Sequence, residues 1–343
     1  MIASTAVGAP EYAHLAALSD RVGLFEHALM DVPRPEHGYC VDDVARGLLV
    51  AVREPDQTPL LAGLTETYLR FLTSALDASG KSHNRMNQAG EWTDTAALGD
   101  WWGRAVWALG IAATHAALPL TRHRARRSFA SACRRRSPHL RAMVFAAIGA
   151  SEVLLARPDD RAARSLVQDA LDLIRGIRSA CWIWPEDRLQ YSNGSLTEAL
   201  IVGGSALHDD EVTGAGLELL EFLLRTETAG DHLSVTGAGG RGSGETDAQF
   251  DQQPIEVAAI ADAAARAFDV TRDSRWLVPV ELAWSWFEGR NDSGAVMFDA
   301  ATGAGYDGLE RAGRNENRGA ESTLAALSTY QQARRLERIG QPA

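Results

Sequence analysis

The feature that most constrains this chain is an alternation between two kinds of connection. Helical periodicity predicts twelve helices, over 11–30, 40–53, 57–78, 100–117, 122–136, 138–156, 160–178, 194–208, 210–227, 252–268, 273–289 and 315–336. Most connections into the even-numbered helices are long and rich in Gly, Asn, Asp, His and Trp: 31–39, 79–99, 179–193, 228–251 and 290–314. Those into the odd-numbered ones are mostly short: 54–56, 118–121, 157–159, the Asp209-Asp210 junction and 269–272. The long loops therefore gather at one end of a helical bundle, and long loops in a compact domain usually carry function.

The two helix sets differ in chemistry. The odd set carries broad charged faces, such as Arg122-His-Arg-Ala-Arg-Arg127 with Arg134–Arg136, which read as solvated surfaces. The even set is small and apolar, as in Ala199-Leu-Ile-Val-Gly-Gly204 and Ala258-Ala-Ile-Ala261. A helix apolar on all sides is buried. Six buried helices inside six solvated ones predict an all-α, (α/α)6 toroid built as a single domain over 1–343. An open α-solenoid fits less well, because the six hairpins share no repeat consensus. Short hairpins are expected within the long loops, at His232-Leu-Ser-Val-Thr236 and Ala295-Val-Met-Phe298.

In the even helices, charge concentrates in the first turns. The densest case is Glu36-His-Gly-Tyr-Cys-Val-Asp-Asp-Val-Ala-Arg-Gly-Leu-Leu49, a polar loop that tips into a nearly uncharged helix bearing Asp42, Asp43 and Arg46. Asp100 and Arg104, Arg141, Glu198, Asp251 and Glu256, then Glu316, Arg318 and Glu321 follow on the later ones. Capping explains single acids at helix starts. It does not explain arginines there, where the helix dipole opposes them. Buried charge needs partners, so these groups are expected to face one another across a wet pocket at the loop-bearing mouth.

Net charge is −11, which argues against nucleic acid or an anionic membrane as a partner. No apolar run approaches the ~18 residues of a membrane span. The first residues show no signal peptide, and Cys40, Cys133 and Cys181 form no C-x-x-C spacing, so a cytoplasmic protein with reduced thiols is expected. G-x-S-x-G, Walker A and H-E-x-x-H are all lacking. Neither a metal nor another cofactor is expected; the loop histidines His37, His83 and His232 are the candidate ligands, but no compact ligand spacing joins them.

The strings EHGYCVDDVARGLL, SHNRM, GDWWGRAVWALG, FDQQPIEVAA, GYDGL and NENRGAESTLA resemble a bacterial group of (α/α)6 domains found beside or fused to glycosyltransferases. The resemblance spans Leu24 to Gln332 and implies a sugar context and a glycosyltransferase partner. Trp102-Gly-Arg-Ala-Val-Trp107 is similar to the W-x-R-G-x-G-W segment of unsaturated glucuronyl hydrolases, departing from it at Ala105 and Val106. N-acylglucosamine 2-epimerases share the toroid but use histidines on late inner helices, where this chain offers Glu198, Glu256 and Glu321.

These readings point to a bacterial glycoside hydrolase-like enzyme using carboxyl general acid/base catalysis. Asp43 and Glu256 are the leading pair, followed by Asp42, Asp100, Glu198 and Glu321. Arg46, Arg85, Arg104 and Arg318 are expected to hold sugar hydroxyls or an anionic group. Further substrate contacts are expected from His37, Tyr39, His83, Asn84, Trp101, Trp102, Trp184, Glu186, Gln252, Gln253, Tyr306, Asp307 and Glu316. Three alternatives stay open. A sugar epimerase or isomerase would set a loop histidine against a carboxylate. A polysaccharide lyase would place Tyr39 or Tyr306 beside Arg104. A non-catalytic sugar-binding module would show stacking rings without a carboxyl pair.

Overall fold

The computed structural model describes residues 10–176 and 182–340. Residues 1–9, where the signal-peptide reading falls, 177–181 with Cys181, and 341–343 lie outside them. Twelve helices are present among the described residues: α1 (Ala13–Ala17), α2 (Val41–Arg53), α3 (Pro59–Ala75), α4 (Asp100–His115), α5 (Pro119–Ala132), α6 (Leu140–Ala156), α7 (Arg161–Gly176), α8 (Asn193–Leu207), α9 (Asp210–Thr226), α10 (Pro254–Thr271), α11 (Leu277–Phe287) and α12 (Ala320–Gly340). Proline opens α3, α5 and α10, where its fixed φ suits the first turn and no N–H is lost.

Helices α2, α4, α6, α8, α10 and α12 pack each on the next, and α12 returns to α2. Outside them, α3, α5, α7, α9 and α11 back onto α2, α4, α6, α8 and α10. The result is an (α/α)6 toroid. The inner helices are buried nearly all round, as the run of buried residues from Arg141 to Leu154 in α6 shows. Glycine allows the closest approach: a Cβ on Gly103 of α4 would lie 2.2 Å from the Ala142 carbonyl oxygen of α6.

The ring closes through polar contacts. Gln331 of α12 donates to the Val50 carbonyl at 2.9 Å and to the Tyr12 hydroxyl at 3.0 Å. Arg334 lies 2.9 Å from Glu54.

One helix departs from expectation. The first was expected over 11–30, yet α1 stops at Ala17. The Asp20 side chain accepts the N–H groups of Val22 and Gly23 at 2.7 and 3.0 Å, a turn that competes with the helix. The long loops carry two-stranded antiparallel pairs, including Tyr39–Cys40 with Arg85–Met86 and Arg188–Leu189 with Arg241–Gly242. Of the expected strand stretches, His232–Leu233 pairs with Thr228–Ala229, and Phe298–Asp299 pairs with Ala304–Gly305. No described helix is long and apolar enough to cross a membrane.

Candidate active site at the loop-bearing mouth

The first turns of the inner helices meet at one end, so these helices run parallel. Arg46 of α2 donates from Nη1 to Glu321 of α12, and its Nη2 lies 3.0 Å from Asp43. Asp42 Oδ1 lies 3.1 Å from Arg104 Nε of α4, whose guanidinium sits 3.9 Å above the Phe145 ring. Arg141 of α6 lies 2.6 Å from Glu186 and donates to the Tyr191 carbonyl at 2.8 Å. Asn193, opening α8, donates to Glu256 of α10 at 3.0 Å. Every inner helix thus contributes to one ring of charged and polar groups.

The helix starts in this ring are bare. Five inner helices, α2, α4, α6, α8 and α10, begin without a hydrogen bond from their own N-cap side chain. Outer helices α3 and α9 are capped locally by Thr58 and Asp209. Loops and neighbouring helices meet N–H groups here instead: Val41 N–H donates to the Asn84 carbonyl at 2.9 Å and Asn193 N–H to Glu256 at 3.1 Å.

Environment separates the carboxyls of the ring. Burial pushes Asp43 up to about 7, against the pull of Arg46. Asp100 also rises, through burial first and the nearby Asp42 second. For Glu321 burial acts upward as well, but Arg46 wins and holds the group below its ordinary value. Its side chain is 44% exposed, against 20% for Asp42 and 3% for Asp43. Arg104 falls to about 10, because burial and then Arg46 disfavour its charge.

Both leading carboxyls are buried. Asp43 is buried behind Arg46. Glu256 accepts the backbone N–H groups of Ser192 and Asn193, so it caps α8 from across the ring. Its pKa is raised, through burial and then the Glu227 carboxylate. Glu227, which sequence reasoning missed, is buried at the end of α9 and accepts the Thr236 N–H at 3.0 Å.

Glu198 is not at the mouth. It faces Arg266 at 3.6 Å and lines a cavity at the opposite end of the barrel.

Several residues expected to contact substrate are buried and held by neighbouring side chains. Tyr39 is buried, stacks on Phe25 at 5.0 Å and donates to Asp20 at 2.8 Å. Trp102 is buried with Nε1 bonded to the Gly80 carbonyl, and Trp184 is buried against Phe222. Gln252 is buried between Asp292 and the Trp286 indole. Tyr306 lies under the Arg314 and Arg318 guanidiniums, at 3.5 and 4.8 Å. A ring that packs in the core and one that stacks on a sugar look alike in sequence.

The remaining contacts form the rim. His83 stacks on Trp92 and bonds Asp94, which also accepts the Asn84 N–H. Trp101 donates to the Ser82 carbonyl at 2.8 Å. Arg85 pairs with Glu26, and exposed His37 meets His27 edge-on. Asp307 accepts the Gly319 N–H at the start of α12, Glu316 pairs with Arg314, and Arg318 lies 3.5 Å from Asp299.

A cavity of ≈ 580 Å³ opens between residues 185–191 and 236–240, with Gln253 and Glu256 on its wall. Glu26, Cys40 and Asp43 form the one trio among the described residues with metal-ligand spacing, their ligand atoms within 4.8 Å of one another. Arg85 and Arg46 already neutralise its two acids, so the trio fits an ion-pair cluster better than a cation site.

No protein-family model matches this chain, and no curated protein matches it either. Solved structures do. A cellobiose 2-epimerase from Bacillus thermoamylovorans is similar with TM-score 0.70 at 13% identity, covering 96% of each chain. A sugar epimerase from a ruminal bacterium gives 0.69 at 12% identity, again over 96% of each chain. A cellulase of C. cellulolyticium in complex with cellobiose gives 0.62 at 9% identity, covering 92% of this chain and 88% of the other. Identities this low establish the fold class, the (α/α)6 toroid.

Proposed function

We propose that this chain is a carbohydrate-acting enzyme whose mouth carboxyls carry out glycoside hydrolysis by general acid/base catalysis. The supporting observation is a pair of carboxyls that both feel Arg104 yet are driven apart. Asp100 is raised by burial and Asp42, whereas Glu321 is lowered because Arg46 outweighs burial. Two carboxyls separated in this way are suited to opposite roles. Asp100, kept protonated longer, would give its proton to the glycosidic oxygen. Glu321, ionised and open to solvent, would take a proton from the attacking water. Arg46 and Arg104 would hold sugar hydroxyls beside the open helix starts, while Asp43 stays behind Arg46 as a buried partner.

The alternatives find less support. A loop histidine does face a carboxylate, His83 against Asp94 at 3.2 Å, but on the rim; no described inner-helix start places a histidine inside the charge ring, and His139, at the N-cap of α6, is exposed. Tyr39 and Tyr306 are engaged with Asp20 and with two arginines, away from the place a lyase base would occupy. The similar structures include sugar epimerases and a cellulase alike, so they support sugar chemistry without choosing the reaction. A glycosyltransferase partner rests on the resemblance of the motifs alone.

The test is a proton NMR time course with a panel of oligosaccharides. New reducing ends that vanish in Asp100→Asn and Glu321→Gln are expected. A C2 epimer formed without cleavage would replace hydrolysis by epimerisation. Saturable binding with no product from any sugar would sink the enzyme reading.

A further inference from the structure

The end of the barrel opposite the loops holds a second cavity, of ≈ 380 Å³, which the mouth chemistry does not use. Its size falls within the range of small-molecule sites. It is walled by the last turns of α2 and α4 and the later turns of α10 and α12, with Glu198 entering from α8.

Nearly every charge in this wall has its own partner. Arg53 lies 2.8 Å from Asp262, and Arg335 lies 2.8 Å from Asp269. Glu54 is held by Arg334 at 2.9 Å. Arg266 and His115 share the Glu152 carboxylate, His115 at 2.9 Å. That leaves Glu198 as the surplus acid. Among the described residues its one ion pair is the 3.6 Å approach of Arg266, and its buried Oε2 has no hydrogen-bond partner. A buried oxygen without a donor is destabilising, and a bound donor would relieve it.

Helix polarity sets the charge of that donor. The C-terminal ends of the inner helices converge here, and helix C-termini favour cations. A bare metal ion is a poor fit, since no metal-ligand grouping at this end is found among the described residues. We propose that the far-end cavity binds a small organic ammonium compound, whose N–H donors are accepted by Glu198 Oε2. This site is independent of the reaction proposed for the mouth.

Isothermal titration with glucosamine, putrescine, N-acetylglucosamine and glucose tests the assignment. At least one of the two amines is expected to bind, while the neutral sugars show no binding at this site. Glucosamine alone would mark an amino sugar, and putrescine alone a polyamine. Glu198→Gln should weaken the amine at least tenfold. Ala117→Trp, at an exposed residue on the cavity rim, should block entry without touching the buried pairs. It serves as the check should Glu198→Gln fail to fold. No heat from either amine would overturn the proposal. So would glucose competing for the same site, or binding that survives both variants and is lost in Asp100→Asn.

Discussion

The two ends of the barrel contain the same electrostatic motif. At the mouth, Arg46 is shared by Asp43, raised to about 7, and Glu321, lowered despite burial. At the far end, Arg266 is shared by Glu198 and Glu152. Burial lifts Glu198 to about 7, whereas Glu152, though buried too, is brought to about 2 by Arg266 and His115. Two acids on one guanidinium divide in this way at both ends, so a raised carboxyl does not by itself mark a catalytic site. What differs is the setting. The mouth has long loops, uncapped helix N-termini and an exposed carboxylate. The far end has tight turns, helix C-termini and no exposed member of its trio.

The largest expected effect falls on turnover. Asp100→Asn and Glu321→Gln should each lower kcat/KM by roughly 10²–10⁴, the range for loss of a general acid or base. The check is the initial rate on whichever oligosaccharide the wild type cleaves. An equal loss of turnover in Glu198→Gln would erase the functional distinction between the two ends.

Stability should separate the arginines next. Arg266→Met leaves Glu198 buried without its ion-pair partner and Glu152 with His115 alone, and should cost about 3–5 kcal/mol. Arg46→Met should cost less, because the exposed Glu321 side chain can hydrate. Urea midpoints compared at pH 7 decide this, and equal losses would mean that the mouth is as dry as the far end.

Much of this was legible in the chain. Alternating loop length and buried-helix composition foretell the toroid, because period and polarity are local properties. Asp42, Asp43, Asp100, Arg46, Arg104 and Glu321 were readable as a group, since charge in the first turn of an otherwise apolar helix needs a partner. Glu198 was misplaced because it sits one and a half turns into α8, where its side chain reaches below the ring to Arg266. The far-end cluster did leave a signal: Glu152, Asp262 and Arg266 are isolated charges in the later halves of apolar helices. Glu26 and the Asp20 turn were hidden by reading 11–30 as one helix, and Glu227 by its place at an outer-helix end.

pH sharpens the comparison further. In the folded chain Glu198 keeps its proton up to about 7, whereas its ordinary value is 4.5. Between those values the unfolded chain binds fewer protons, so stability falls as pH rises. Glu152 acts in the opposite sense: its contribution is present above 4.5 and lost as pH falls through about 2. Glu198→Gln should therefore remove a decline on the order of 3 kcal/mol between pH 4.5 and 7.5. Asp43→Asn should flatten a similar decline starting nearer 3.8, at the mouth. Unfolding curves for either variant that stay parallel to wild type across this range would mean that its carboxyl is ionised in the fold.

The smallest effect tests the helix starts themselves. Thr58 caps α3 by accepting the Leu61 N–H at 3.2 Å, so Thr58→Ala should cost about 1 kcal/mol. His139 occupies the same position on inner helix α6, is exposed and makes no capping bond. His139→Ala should therefore stay within roughly 0.5 kcal/mol of wild type. Thermal unfolding of the two variants side by side measures the contrast. A loss at His139 as large as that at Thr58 would mean that this mouth helix is already capped by its own side chain. Its N–H groups would then be closed to a sugar hydroxyl, and substrate binding would fall to Arg46, Arg104 and the cavity wall.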